Sequence, residues 1–225
     1  MPFLYINFIV FKIIKSYNKK GDEMKNKYKW IIGITCLILF LALLEDVVNK
    51  DIMKGDILGY KIISKYLINN SITPIVKFIT NFGGGIFLII LTIILIITIK
   101  NKKIGFSVAI NLVTITLINQ LLKIILHRPR PIDNRIINEF GYSFPSGHSM
   151  ISMAFYGYLI YLIYKYVKNK KIKYLLMIAL ILLILVIGIS RIYLGVHYTS
   201  DVLAGFLFSI FYLIIYIKIQ NKFIK

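Results

Sequence analysis

Long apolar runs broken by short polar clusters set the pattern of this chain. Six runs stand out, at 28–44, 82–99, 104–126, 149–164, 174–190 and 198–217. Each is about 16–23 residues long, enough to cross the hydrocarbon of a bilayer with modest tilt. Backbone groups in lipid must pair within their own segment, and the period-two alternation of barrel strands is absent, so each run predicts a transmembrane helix. The expected fold is all-α: a polytopic membrane protein with six transmembrane helices over 28–217. A cytoplasmic segment (1–27) precedes it and a cytoplasmic tail (218–225) follows.

The longest connection runs from Glu45 to Asn81. Within it Leu58, Ile62 and Tyr66 interleave with Lys61 and Lys65 at helical spacing. Two readings fit that pattern: a short interfacial helix on the outer membrane surface, or a helix packed over the bundle. Gly83-Gly84-Gly85 opens the second run and favours close helix packing.

Charge orients the bundle. The chain carries 28 Lys and Arg against 9 Asp and Glu, a net charge of +19. A nucleic-acid binder would gather its lysines on a soluble face. Here they punctuate apolar runs, so no nucleic-acid partner is expected. With both termini on one side, that side holds 18 of the basic residues and the other 10, while seven of the nine acids fall on the second. The positive-inside rule then places both termini in the cytoplasm. Richness in Ile, Lys and Asn points to an AT-rich bacterial genome, so the expected location is the bacterial cytoplasmic membrane. The lone cysteine, Cys36, lies inside a run, which excludes a disulfide within the chain and a cysteine-based metal site.

The apolar stretch 3–11 is too short to span, its charges follow rather than precede it, and no small-residue cleavage site appears, against a signal peptide. Met24 stands just before the first run. Lys19-Lys20-Gly21-Asp22-Glu23 back-translates to a purine-rich stretch containing a ribosome-binding sequence. One expectation is therefore translation from Met24, with residues 1–23 never made; the other is an amphipathic cytoplasmic lead-in.

Three polar clusters carry the candidate chemistry, and the charge argument puts all three at the outer face. In the first, Lys123 precedes Arg128-Pro129-Arg130-Pro131. Residues before proline avoid the α region, so the third helix is expected to end near His127 and throw the arginines into an extended segment. Lys123 lies a turn lower, with Asn119 on the same helix face and Asn111 and Gln120 nearby. Such cations suit phosphate oxygens; plain snorkelling at an interface is the alternative. In the second cluster, Pro145-Ser146-Gly147-His148 runs into the fourth helix. Ser146 is a plausible N-cap, and the free N–H groups of a helix start attract anions. His148 stands at that mouth, able to give a proton. In the third, Ser190-Arg191 closes the fifth helix, and His197 and Asp201 open the sixth. A carboxylate on one ring nitrogen fixes the tautomer and supports the imidazolium formed when the other attacks. A capping role for Asp201 at the helix N-terminus is the alternative, and the two are compatible.

Taken together, Lys-x6-Arg-Pro, Pro-Ser-Gly-His and Ser-Arg-x5-His-x3-Asp resemble the three-part signature of the type-2 phosphatidic acid phosphatase superfamily, with every signature position filled. The resemblance covers roughly 45–217. It departs at Thr199, where members often carry proline, a position with no catalytic role. It implies a membrane lipid-phosphate phosphatase acting through a phosphohistidine: His197 as nucleophile, Asp201 as its orienter, His148 as general acid, and Lys123, Arg130, Arg191, Ser146 and Gly147 around the phosphate. Three cations stand in for a metal, and the chain lacks a convincing His/Asp/Glu ligand set, so neither metal nor other cofactor is expected. The partners are the bilayer and a lipid phosphate. Undecaprenyl pyrophosphate leads, since it is released outside; phosphatidylglycerol phosphate or phosphatidic acid follows. Vanadium haloperoxidase-like chemistry and a non-enzymatic membrane protein stand further behind.

Overall fold

A computed structural model describes residues 27–49, 53–132 and 135–224. Residues 1–23, and with them the choice between Met1 and Met24 as the start, lie outside the described residues. Eight α-helices make up the described fold: α1 (Lys27–Val48), α2 (Lys54–Tyr66), α3 (Thr73–Thr80), α4 (Gly85–Thr98), α5 (Lys102–Leu126), α6 (Gly147–Tyr166), α7 (Lys170–Tyr193) and α8 (Thr199–Phe223). The protein is an all-α membrane protein. Four helices, α1, α5, α7 and α8, are long and apolar enough to cross a bilayer. A fifth crossing is obtained if α3 and α4, bent by 51° at Gly84, count as one broken span.

The remaining expected run became α6, whose 20 residues include Gly147, His148, Ser149 and Ser152. It packs against α5, α7 and α8 at the centre of the bundle. Surrounded by protein rather than lipid, it can carry polar groups that a peripheral span cannot. Ala154, Phe155 and Tyr158 on α6 are fully buried with Val108 and Ile115 of α5 and Ile187 of α7.

Local sequence explains most helix ends. Asn101 and Asn169 cap α5 and α7, each side-chain oxygen accepting a backbone N–H of the first turn. At the other end α5 stops at Leu126 and His127 closes it with φ 49°, just ahead of Arg128, which Pro129 biases away from the helical region. The second run is a turn shorter than expected, because Asn81–Gly83 form a 3-10 turn and Gly84 is extended. Gly83 is where the glycine run matters: a Cβ there would lie 2.7 Å from Ile187 and 2.8 Å from Ser152. Helix α8 continues past residue 217 to Phe223. Its residues have partners that favour continuing the helix, with Asn221 accepting from Tyr161 and Lys218 over the Trp30 ring.

The long connection between the first two apolar runs contains two helices. In α2, Leu58, Ile62 and Tyr66 are exposed, while Asp56 turns inward and is 3% exposed. The inward face packs on α7 and α8, so α2 both covers the bundle and offers an apolar outer face. The pattern did not predict α3, although Pro74 near its start is a helix-opening signal.

Candidate active site

All three clusters meet at one end of the bundle, around a cavity of about 430 Å³. Its walls include Lys123, Arg130, Glu139, Gly147, His148 and His197 near the helix ends, then Leu88, Ile89, Leu112 and Ile124 between α4 and α5. The cavity is therefore charged at one end and apolar along its length.

His197 sits in the short connection between α7 and α8, which Gly195 allows to turn tightly by taking φ 69°. The ring is 3% exposed. Its Nδ1 lies 3.3 Å from Asp201 Oδ2, and its Nε2 lies 3.0 Å from Arg130 Nη1. A guanidinium has donors only, so Nε2 accepts and the ring proton sits on Nδ1, facing the carboxylate. Burial, and then the nearby Arg191, Arg130 and Lys123, hold the His197 pKa well below the usual histidine value. The ring is thus neutral near pH 7, with its Nε2 lone pair on the cavity side.

Asp201 is fully buried, and its carboxylate faces both the start of α8 and the His197 ring. Its Oδ2 accepts from Tyr198 N at 2.9 Å, completing a capping box at the start of α8, while also facing His197. The sequence pattern expects His197 and Asp201 to open the sixth helix; α8 instead begins at Thr199, so His197 lies just ahead of it and the Asp201 carboxylate reaches back to the ring.

Arg130 is held on several sides. Its guanidinium donates to Gly141 O, Phe140 O and Val196 O, at 3.0–3.1 Å, as well as to His197. Lys123 reaches up from α5 to Tyr142 O at 2.6 Å. Arg191 is 1% exposed; it donates to Thr80 Oγ1 at 2.9 Å and to Glu139, leaving its buried Nε without a partner. Ser146 is the N-cap of α6, its hydroxyl 3.0 Å from Ser149 Oγ, and its N–H donates to Asp201 O. It lies behind the cavity wall, whereas Gly147 and His148 line it. Asn119 and Asn111 are fully buried as their helix face predicts, but Gln120 is exposed while lining the cavity.

Glu139 and Asp56 had no assigned part in the sequence pattern, and Arg128 does not take the phosphate-facing place expected of it. Glu139, in the α5–α6 connection, is the carboxylate beside Arg191 and Arg130. Arg128 turns away from the cavity and donates to Asp201 Oδ1 at 2.5 Å and Asp56 Oδ2 at 2.8 Å. Asp56 arrives from α2. Its inward position with Gly59 and Ile63, at i, i+3 and i+7, is the one signal that could have found it. Among the described residues, no group of three or more His, Cys, Asp or Glu side chains is arranged to hold a metal ion.

Fold and site define a helical membrane protein whose cation-ringed cavity contains two histidines, one of them paired with a carboxylate. A family model for the PAP2 superfamily matches residues 102–225, more than half of the sequence, and the chain belongs to that family. It is 34% identical over 132 residues to phosphatidylglycerophosphatase B of Bacillus subtilis, covering 57% of this chain and 65% of that protein, just under two thirds of its length. It is 26% identical over 210 residues to an undecaprenyl-diphosphatase of Sulfolobus acidocaldarius, covering 88% of this chain and 94% of that protein. The crystal structure of a transmembrane PAP2 type phosphatidylglycerolphosphate phosphatase from Bacillus subtilis is similar with a TM-score of 0.73 and 27% identity, over 84% of this chain and 96% of that one.

Proposed function

We propose that this protein is an integral membrane lipid-phosphate phosphatase working through a phosphohistidine at His197. The observation that carries the reading is the placement of the His197 ring, its Nδ1 against Asp201 and its Nε2 beside Arg130, in the wall of a cavity also lined by Lys123 and His148. Nε2 attacks phosphorus, and the bond from phosphorus to the leaving oxygen breaks. His148, protonated as the imidazolium once the anionic phosphate is bound beside it, gives that oxygen its proton. Water, deprotonated in turn by His148, then attacks the phosphohistidine and releases phosphate. Lys123 and Arg130 neutralise the equatorial oxygens from the cavity wall and Arg191 from just behind it, with a hydrogen bond from the Gly147 N–H at the α6 N-terminus that Ser146 caps. Arg130 leaves His197 for the phosphate as substrate enters, which frees the Nε2 lone pair. Turnover is expected to survive excess chelator; loss restored by one divalent ion would contradict this.

In this reading α6 and the bent α3–α4 unit complete six crossings, both termini are cytoplasmic and the site opens at the outer face. That orientation favours undecaprenyl pyrophosphate as substrate, and the similarity to an undecaprenyl-diphosphatase along most of the chain supports it. Phosphatidylglycerol phosphate is the second reading, favoured by the higher identity to a phosphatidylglycerophosphatase. Phosphate release by the purified protein from undecaprenyl pyrophosphate, phosphatidylglycerol phosphate and phosphatidic acid separates them. The highest kcat/KM is expected on the polyprenyl substrate; a preference for either glycerolipid would replace it, and no release from any would refute the phosphatase reading.

A further inference from the structure

The Asp201 carboxylate is held from behind by a buried ionic chain that no signature residue accounts for. Arg128 Nη1 donates to Asp201 Oδ1 and, at 2.8 Å, to Ser200 Oγ; Nη2 donates to Asp56 Oδ2. Asp56 in turn accepts from Ser200 N at 2.8 Å through Oδ1, and from Ser200 Oγ at 2.9 Å through Oδ2. Arg128, Asp56 and Ser200 are 7%, 3% and 3% exposed, and the guanidinium stacks on the Tyr198 ring with its centre 4.3 Å away. None of the three lines the cavity. A buried ion pair is a weak source of stability against an apolar replacement, so its presence asks for another explanation. Here it ends on the carboxylate that faces His197. Helix α2 is fixed to the same spot a second time, since a Cβ on Gly59 would come within 2.1 Å of Thr199 Oγ1.

We propose that Arg128 and Asp56 are positioning residues: the fork of Arg128, itself aimed by Asp56 of α2, keeps the Asp201 carboxylate ionised and pointed at His197 Nδ1. The proposal rests on His197 being the nucleophile. It makes α2 part of the machinery, delivering a charge to the rear of the site rather than merely covering the bundle.

The test measures kcat, KM and the acid limb of kcat/KM for wild type, Arg128→Gln, Arg128→Lys and Asp56→Asn on whichever lipid phosphate the wild type hydrolyses. Both charge-changing variants lower kcat by about 10–100-fold, the cost common for partners behind a site residue. KM stays within about threefold, because neither residue reaches the cavity. Asp56→Asn is isosteric, yet it sets an amide N–H against a donor on either side, whichever way it is turned.

The pH limb distinguishes charge from packing. His197 faces Lys123 of α5, Arg130 and Glu139 of the α5–α6 connection, His148 of α6, Arg191 of α7 and Asp201 of α8, and these stay in every variant. Loss of the Arg128 charge favours the imidazolium, so the limb rises by about one pH unit. Loss of the Asp56 charge disfavours it, so the limb falls. Arg128→Lys keeps the charge and loses the fork, so kcat drops and the limb stays. If Arg128→Gln does not fold, the other two variants decide. Wild-type kcat in Asp56→Asn and Arg128→Lys, or limbs that move the same way in the two charge-changing variants, would overturn the proposal. A wild type that releases no phosphate from any lipid would overturn the phosphatase reading beneath it.

Discussion

Two buried polar regions of this bundle are built on opposite terms. Deep among α5, α6 and α8 the polar groups are neutral: Tyr158 meets Ser107 at 2.8 Å, Tyr216 donates to Ser107 O, and Asn111 donates to Ala154 O at 2.9 Å. At the helix ends the polar groups are charged: Arg128, Arg130, Arg191, Asp56, Asp201 and Glu139 crowd around one histidine. Neutral hydroxyls and amides satisfy themselves locally and tie helices together at small cost in lipid. Charges at that depth would cost far more, so they gather where loops and water-facing helix ends can pair them. The neutral layer positions the helices, and the charged layer is where their ends acquire chemistry.

That contrast can be broken most severely at the charged end. His197→Ala is expected to abolish phosphate release while the purified protein remains monodisperse in detergent, because no other group near the cavity offers a neutral, carboxylate-oriented nitrogen. Asp201→Asn should leave a trace of activity, about 10²–10⁴-fold below wild type in kcat, since the nucleophile survives but its tautomer and imidazolium lose their support. The pH profile gives a smaller effect with a definite sign. Attack needs neutral His197, and burial with three nearby cations depresses its pKa, so protonation sets in only well below the ordinary value of 6.5. The acid limb of kcat/KM is therefore expected below pH 6.5; a limb above it would show that the cations do not govern the ring. The smallest effect belongs to the neutral layer. Tyr158→Phe should cost about 0.6 kcal/mol of stability, a typical value for one interhelical hydrogen bond in a membrane protein, read as a small drop in Tm. Its kcat should stay within about twofold of wild type. A larger loss of kcat there would blur the division between the two regions.

Much of the charged layer was legible in the chain because its parts are local. Arg128-Pro129 ends α5 at Leu126, Ser146 caps α6, and His197 and Asp201 are close enough for one helix start to hold both. The alternation of apolar runs and lysines likewise outlined α1, α5, α7 and α8. Less legible were features set by distant contacts. Asp56 meets Arg128 across 72 residues and Ser200 across 144, and only its helical spacing with Gly59 and Ile63 marks it as turned inward rather than solvated. Glu139 binds Arg191 across 52 residues from an irregular connection without periodicity. The break at Gly84 and the helical tail beyond residue 217 depend on neighbours packed from other helices, which a pattern of apolar runs cannot register. Local signals located His197 and Asp201; the tertiary fold supplied the groups behind them.

The central claim, a covalent phosphoryl group on His197, is most directly tested by acid-free quenching of the protein during turnover of a lipid substrate labelled in the transferred phosphate. The expected result is an acid-labile, base-stable label on the peptide containing His197, absent from His197→Ala. Turnover by the wild type with no label at His197 in a quench fast enough to catch the intermediate, or equal label in His197→Ala, would contradict it.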